Sequence, residues 1–167
     1  MRVFLIGFMG AGKTTTGRAL ARRLGSLFVD LDGRVEASLR MNVAQVFRQR
    51  GESFFRAEEA RQLAACARFG SLVVATGGGT FTVPGNRELI RRLGVSVFLD
   101  VPWGEVVRRL PGKQGERPLF GTPEKAFELY AQRLPHYRSA DLTVRPEAGE
   151  DPEALAGRLV HVLEGFS

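Results

Sequence analysis

This chain of 167 residues is poor in nearly everything that would tie it to structural metals, membranes or an oxidising compartment. It has one cysteine, Cys66, so no intrachain disulfide can form, which suits a reducing compartment. Cys66 lies in RQLAACAR, an alanine-rich amphipathic stretch, and reads as a small core residue rather than a reactive thiol. Two histidines, His136 and His161, with that single cysteine exclude a zinc site of the usual spacing. No apolar run approaches the ~20 residues of a membrane helix. The opening MRVFLIGFMGAG starts like a leader, but Gly7 and Gly10 interrupt it and no small-x-small cleavage pattern follows. It is read as a buried first strand, and a cytoplasmic protein is expected. Lysine is scarce as well, with three against 21 arginines, for a net charge of +6 and a pI near 10.4. The arginines are scattered, in runs no longer than two and with little aromatic interleaving. That favours small anionic substrates over nucleic acid. No membrane partner, no nucleic-acid partner and a monomer are expected.

What is present describes a globular α/β protein. Hydrophobic residues make up 44% and charged residues 25% of the chain, and its length suits one compact domain, 1–167. Short β-like runs at 2–6, 27–31, 71–75, 95–100 and 141–145 alternate with helical periodicity at 13–24, 33–51, 55–68, 86–93, 103–110, 123–138 and 151–166. This is the pattern of a parallel sheet covered by helices on both faces. Asp151 followed by Pro152 is a good opening for the last helix. The stretch 111–123, PGKQGERPLFGTP, is too polar and too rich in glycine and proline to pack. It reads as a surface loop or, more sharply, as a flexible lid.

Residues 7–14, GFMGAGKT, satisfy G-x-x-x-x-G-K-[ST] between a strand and a helix, the context in which that motif works. Its glycines let successive backbone N–H groups, those of Gly10, Ala11, Gly12, Thr14 and Thr15 among them, turn toward one anion. The following helix adds its positive end. Lys13 reaches the β- and γ-phosphates and the Thr14 hydroxyl can ligate magnesium. The loop is expected to hold ATP or GTP.

Other candidates fall beyond the carboxyl ends of later strands, where ligands bind in open parallel sheets. In DLD, Asp30 and Asp32 would point the same way if the strand persists. One could hold water on magnesium while the other accepts a hydroxyl proton. Asp32 could equally cap a helix starting near Gly33. Three consecutive glycines, Gly77, Gly78 and Gly79, suggest that backbone must approach a ligand closely. Arg56, three residues before Glu59, and Arg133, ahead of Pro135 near an expected helix end, could clamp a carboxylate with paired hydrogen bonds. Phe54 and Phe55 could wall a pocket or pack in the core.

GFMGAGKTTTGRALA, FVDLDGRVE, VFRQRGESFFRAEE, ATGGGT, ERPL and RLPHYRSAD occur in an order that resembles shikimate kinase along nearly the whole chain. The resemblance implies transfer of the γ-phosphoryl group of ATP, with Mg2+, to the 3-hydroxyl of shikimate. It implies a three-layer αβα fold around a five-stranded parallel sheet in the order 2-3-1-4-5. It further implies that Asp32 binds the shikimate hydroxyls as base or orienter and that Arg56 and Arg133 clamp the carboxylate, supported by Glu59. Gly77–Gly79 would close one side of the acceptor pocket and Asp30 would hold magnesium through water beside Thr14. Arg117 would reach the phosphates, and Arg109 and Pro152 would lie on the adenine side. Gluconate is the nearest alternative acceptor. A decayed regulatory nucleotide binder and a nucleic-acid-dependent ATPase are more distant alternatives.

Overall fold

The structure, a computed structural model, describes residues 1–109 and 121–166. Most of the expected lid, including Arg117, lies outside the described residues. Five strands, β1 (Arg2–Ile6), β2 (Leu27–Asp30), β3 (Leu72–Ala75), β4 (Val95–Leu99) and β5 (Leu142–Val144), form one sheet in the order β2-β3-β1-β4-β5. Every pairing is parallel. The central strands explain the run of apolar residues without polar alternation. Val3–Ile6, Leu72–Ala75 and Ser96–Leu99 are buried throughout, because helices cover both faces of the sheet. The edge strands β2 and β5 are more exposed. The order 2-3-1-4-5 agrees with what the resemblance implies.

The register fixes where chemistry can gather. Asp30 lies opposite Ala75, which lies opposite Leu5, and Ile6 lies opposite Phe98. The carboxyl ends of β2, β3, β1 and β4 therefore open at one edge. The segments that follow them, Leu31–Gly33, Thr76–Gly79, Gly7–Gly12 and Asp100–Pro102, leave side by side.

Eight α-helices frame this edge among the described residues. Helix α1 (Lys13–Leu24) begins after Gly12, whose φ of 83° only glycine adopts cheaply, and ends at Gly25 with Arg22 and Arg23 in its last turn. The expected single helix over 33–51 is instead two, α2 (Leu31–Leu39) and α3 (Val43–Arg50). Arg40 turns left-handed at φ 53° to end α2, and Asn42 then opens α3 with a capping box shared with Gln45. Local capping chemistry overrides a continuous apolar periodicity here. Helix α4 (Glu52–Ala65) follows at once, and Val35, Val46 and Phe55 from the three helices form a small second core. The rest of the frame is α5 (Pro84–Leu93), α6 (Trp103–Arg109), α7 (Pro123–Tyr137) and α8 (Pro152–Phe166). Cys66 is fully buried in the main core, as expected.

Arg40 is the one non-glycine residue with positive φ among the described residues. A left-handed L-residue costs roughly 1–2 kcal/mol, most of which glycine avoids. Arg40→Gly is therefore expected to raise the melting temperature by about 2–4 °C, read in a thermal melt. A lower melting temperature would show that the Arg40 side chain contributes more than its backbone costs.

Candidate active site

The phosphate loop leaves β1 and closes on itself. Ala11 N–H donates to the Phe8 carbonyl at 3.2 Å and Thr16 N–H to that of Gly12 at 2.9 Å. Gly7, Gly10 and Gly12 all have positive φ, at 153°, 78° and 83°. Lys13 is buried and its ammonium spans the loop, donating to the carbonyls of Gly7 at 2.6 Å and Phe8 at 2.9 Å. That ties the cation to the rim of the anion site. Phe8 is locked edge-on against Tyr130 of α7 and Trp103 of α6, with centroids at 5.4 and 6.3 Å. From α6, Arg109 reaches back to donate to the Gly10 carbonyl at 2.8 Å.

A cavity of about 580 Å³ opens from this loop. Gly12, Lys13 and Thr14 line one side, and Asp30, Asp32 and Glu36 the other. The two aspartates do not share a strand, which corrects the sequence expectation. The strand stops at Asp30, and Asp30 rather than Asp32 caps the next helix, its Oδ1 accepting from Gly33 N–H at 3.2 Å. Its Oδ2 accepts from the Thr14 hydroxyl at 2.8 Å. Asp32 sits in the first turn of α2, where a carboxylate also complements the helix dipole.

The glycine triplet explains itself through what stands against it. A Cβ on Gly77 would lie 2.6 Å from Glu59 Oε1 and 2.7 Å from Asp32 Oδ1. One on Gly78 would lie 2.9 Å from Arg133 Nη1. One on Gly79 would collide with the Arg56 guanidinium. Three successive residues thus give up their side chains so that two acids and two arginines can converge on one backbone turn. Arg56 is held by Glu59 at 3.0 Å and Glu52 at 3.5 Å, and the fully buried Glu59 also accepts from the Thr80 hydroxyl at 2.6 Å. The expected orienting of Arg56 by Glu59 is therefore present.

Arg133 is the more unusual cation. It is 7% exposed, and no carboxylate among the described residues lies within ion-pair distance of it. Burial, and then the like charge of Arg56, pull its pKa below the ordinary arginine value, while the nearby Tyr137 acts against them. Tyr137 is fully buried, and its hydroxyl donates to the Gly78 carbonyl at 2.6 Å. Two guanidinium groups facing one glycine turn have the chemistry to hold a planar anion.

The comparisons with known proteins point the same way. The shikimate kinase family model matches residues 9–164. The shikimate kinase of Synechococcus elongatus is 42% identical over 164 residues, covering 96% of this chain and 85% of its own. The chain belongs to the shikimate kinase family. It is an ATP-dependent kinase that phosphorylates shikimate in aromatic amino-acid biosynthesis. The shikimate kinase of Rhodopseudomonas palustris is 41% identical over 145 residues, 85% of this chain and 71% of that one. A solved shikimate kinase from Acinetobacter baumannii in complex with shikimate has a TM-score of 0.93 at 32% identity, with 99% and 94% of the chains covered.

Against the residues expected for a shikimate kinase, the structure brings together Lys13, Thr14, Asp30 and Asp32 around the cavity. It brings Arg56, Arg133 and Gly77–Gly79 together beside them, and Asp32 belongs to both groups. Gly10, Gly12 and Thr15 line the phosphate side, and Ala11 is buried beneath it. Arg109 and Pro152 stand outside the cavity lining. Pro152 is the first residue of α8, after Asp151 has capped Ala154 N–H at 2.8 Å. Phe55 is a core residue of the small cluster with Phe54 packed on it, and the Arg56 guanidinium carbon lies 5.3 Å from the Phe55 ring centre. Sequence reasoning missed Tyr137, which shares a helix face with Arg133 at i, i+4. That spacing could have found it, because the expected helix over 123–138 already spans both residues. The helix runs through Pro135 to Tyr137, close to the expected end at 138.

Proposed function

We propose that this chain works as a single kinase domain that moves the γ-phosphoryl group of ATP to the 3-hydroxyl of shikimate. The observation that carries the division of labour is the convergence of Asp32, Arg56 and Arg133 on Gly77–Gly79, beside the phosphate-loop cavity. Gly10–Thr15 seat the phosphates, and Lys13 swings from the loop carbonyls to the transferring group. Arg56 and Arg133 grip the shikimate carboxylate, away from the reacting oxygen. Binding energy collected there aligns the hydroxyl for an in-line reaction. Asp32 takes or orients the hydroxyl proton. Arg109, already at the loop, and Pro152 flank the adenine.

The residues present also fit magnesium. It is a hard cation that keeps several waters and takes only one or two protein oxygens beside the phosphates. Thr14 Oγ1 and Asp30 Oδ2 offer that pair, 2.8 Å apart on the cavity wall. When bound, the ion would neutralise charge on the β- and γ-phosphate oxygens. A monomer in the cytoplasm is the simplest setting. The buried thiol needs no partner, and no described helix is long and apolar enough to cross a membrane. The exposed large apolar residues among the described ones are Met1, ahead of β1, and Leu27, Val107, Phe127 and Phe166, each on a different element.

The reading is tested by ADP release from ATP and magnesium in three parallel reactions, with shikimate, with gluconate and with buffer alone. Turnover that requires shikimate is expected. Turnover with gluconate only would keep the phosphate site and reassign the acceptor pocket.

A further inference from the structure

The acceptor clamp contains a buried group that none of the roles above uses. Tyr137 is fully buried against Phe98, with ring centroids 5.4 Å apart. Its hydroxyl lies at the junction of two parts of the site. It donates to the Gly78 carbonyl at 2.6 Å, and the Arg133 guanidinium, one helical turn earlier, stands against the same glycine. The closeness is visible at Gly78, where a Cβ would stand 2.9 Å from Arg133 Nη1 and 3.7 Å from the Tyr137 oxygen. Burial pushes the tyrosine pKa up to about 12, so the hydroxyl keeps the proton it donates to Gly78 and offers its oxygen lone pairs to Arg133. No carboxylate among the described residues lies in ion-pair range of Arg133, so packing and the tyrosine hydroxyl are what orient its buried fork.

We propose that Tyr137 is a positioning residue that fixes the Arg133 guanidinium relative to the glycine turn, so that the fork meets the acceptor's carboxylate already aligned. The inference rests on the reading of Arg56 and Arg133 as the carboxylate clamp. It adds a member that never touches the substrate. Without the hydroxyl, the fork loses its neighbour and the Gly78 carbonyl loses a buried donor. Part of the binding energy is then spent re-ordering Arg133.

Tyr137→Phe in the full-length protein keeps the ring and its packing on Phe98. The expected result is a KM for shikimate raised about tenfold, the weight of a hydrogen bond to a charged group, with the KM for ATP unchanged. The methyl ester of shikimate, which lacks the anion, should bind the variant and the wild type equally. Arg133→Lys serves as reference. If Arg133→Lys weakens shikimate binding and Tyr137→Phe does not, the positioning role is overturned and the clamp stands. If Tyr137→Phe weakens acid and ester by the same factor, the residue is merely structural and the proposal falls. If Arg133→Lys leaves shikimate binding unchanged, clamp and proposal fall together. Should Tyr137→Phe not fold, Tyr130→Phe leaves Tyr137 as the only tyrosine in the chain. Shikimate should then perturb the tyrosine absorption band and the ester should not, and equal perturbation by both would overturn the proposal.

Discussion

Gly79→Ala is expected to weaken shikimate binding by about a hundredfold, measured as a dissociation constant, with ATP binding intact. The residue sits at φ −95° and ψ −11°, a conformation alanine adopts without strain, so backbone freedom is not why it is glycine. The reason is space. An added Cβ would stand 2.6 Å from Cζ and Nη1 of Arg56 and closer still to Nη2. Such a contact must open, and what can move is the end of a long side chain rather than the backbone. Arg56 would swing away from Glu59 toward the half-exposed Glu52. The buried Glu59 keeps its bond from Thr80, which limits the stability cost to about 1–3 kcal/mol. Loss of one bidentate arm and misplacement of the other account for roughly 2–3 kcal/mol of acceptor affinity. Calorimetric titration with shikimate and with ATP separates the two sites. A shikimate affinity within threefold of wild type would mean that Arg56 does not hold the acceptor.

The same turn shows how far sequence reading reaches. Three glycines in a row are legible because no ordinary element tolerates them, and the structure supplies a separate close neighbour for each. The phosphate loop is legible because its motif and the strand and helix around it agree. Arg56 and Glu59 are legible because i, i+3 spacing is a local rule. The fold class follows from alternation of apolar runs with helical periodicity, whereas the strand order came through family resemblance. No periodicity encodes which strands become neighbours. The errors arose where a local conformational choice overrode a longer pattern. The left-handed Arg40 and the Asn42 cap split one periodic stretch into two helices. The early end of β2 at Asp30 made Asp30, rather than Asp32, the helix cap within DLD. Helix α7 runs past Arg133 as the expected stretch 123–138 has it, because a proline near a helix end loses a single hydrogen bond that tertiary packing of Tyr137 outweighs.

The division between the two aspartates leads to the largest expected effect. Both oxygens of Asp30 are engaged by the fold, one with Gly33 N–H and one with the Thr14 hydroxyl. Asp32 lines the cavity one residue into α2 and brings Oδ1 against Gly77, at the boundary between the phosphate and acceptor groups. It is therefore the acid we propose to meet the acceptor hydroxyl, which must lose its proton as it attacks phosphorus. Asp32→Asn keeps the volume and one accepting oxygen but cannot take the proton. If Asp32 is the base, kcat should fall by about 10²–10⁴-fold, with ATP affinity unchanged and shikimate affinity changed far less than kcat. Asp32→Ala removes the acceptor as well and should be no more active than Asp32→Asn. The pair of variants separates two mechanisms. A base makes Asn as poor as Ala. An orienting group leaves Asn within tenfold of wild type and only Ala far below it. The second pattern would assign the hydroxyl proton to a phosphate oxygen, with catalysis carried by the alignment that the arginine clamp and the phosphate loop impose.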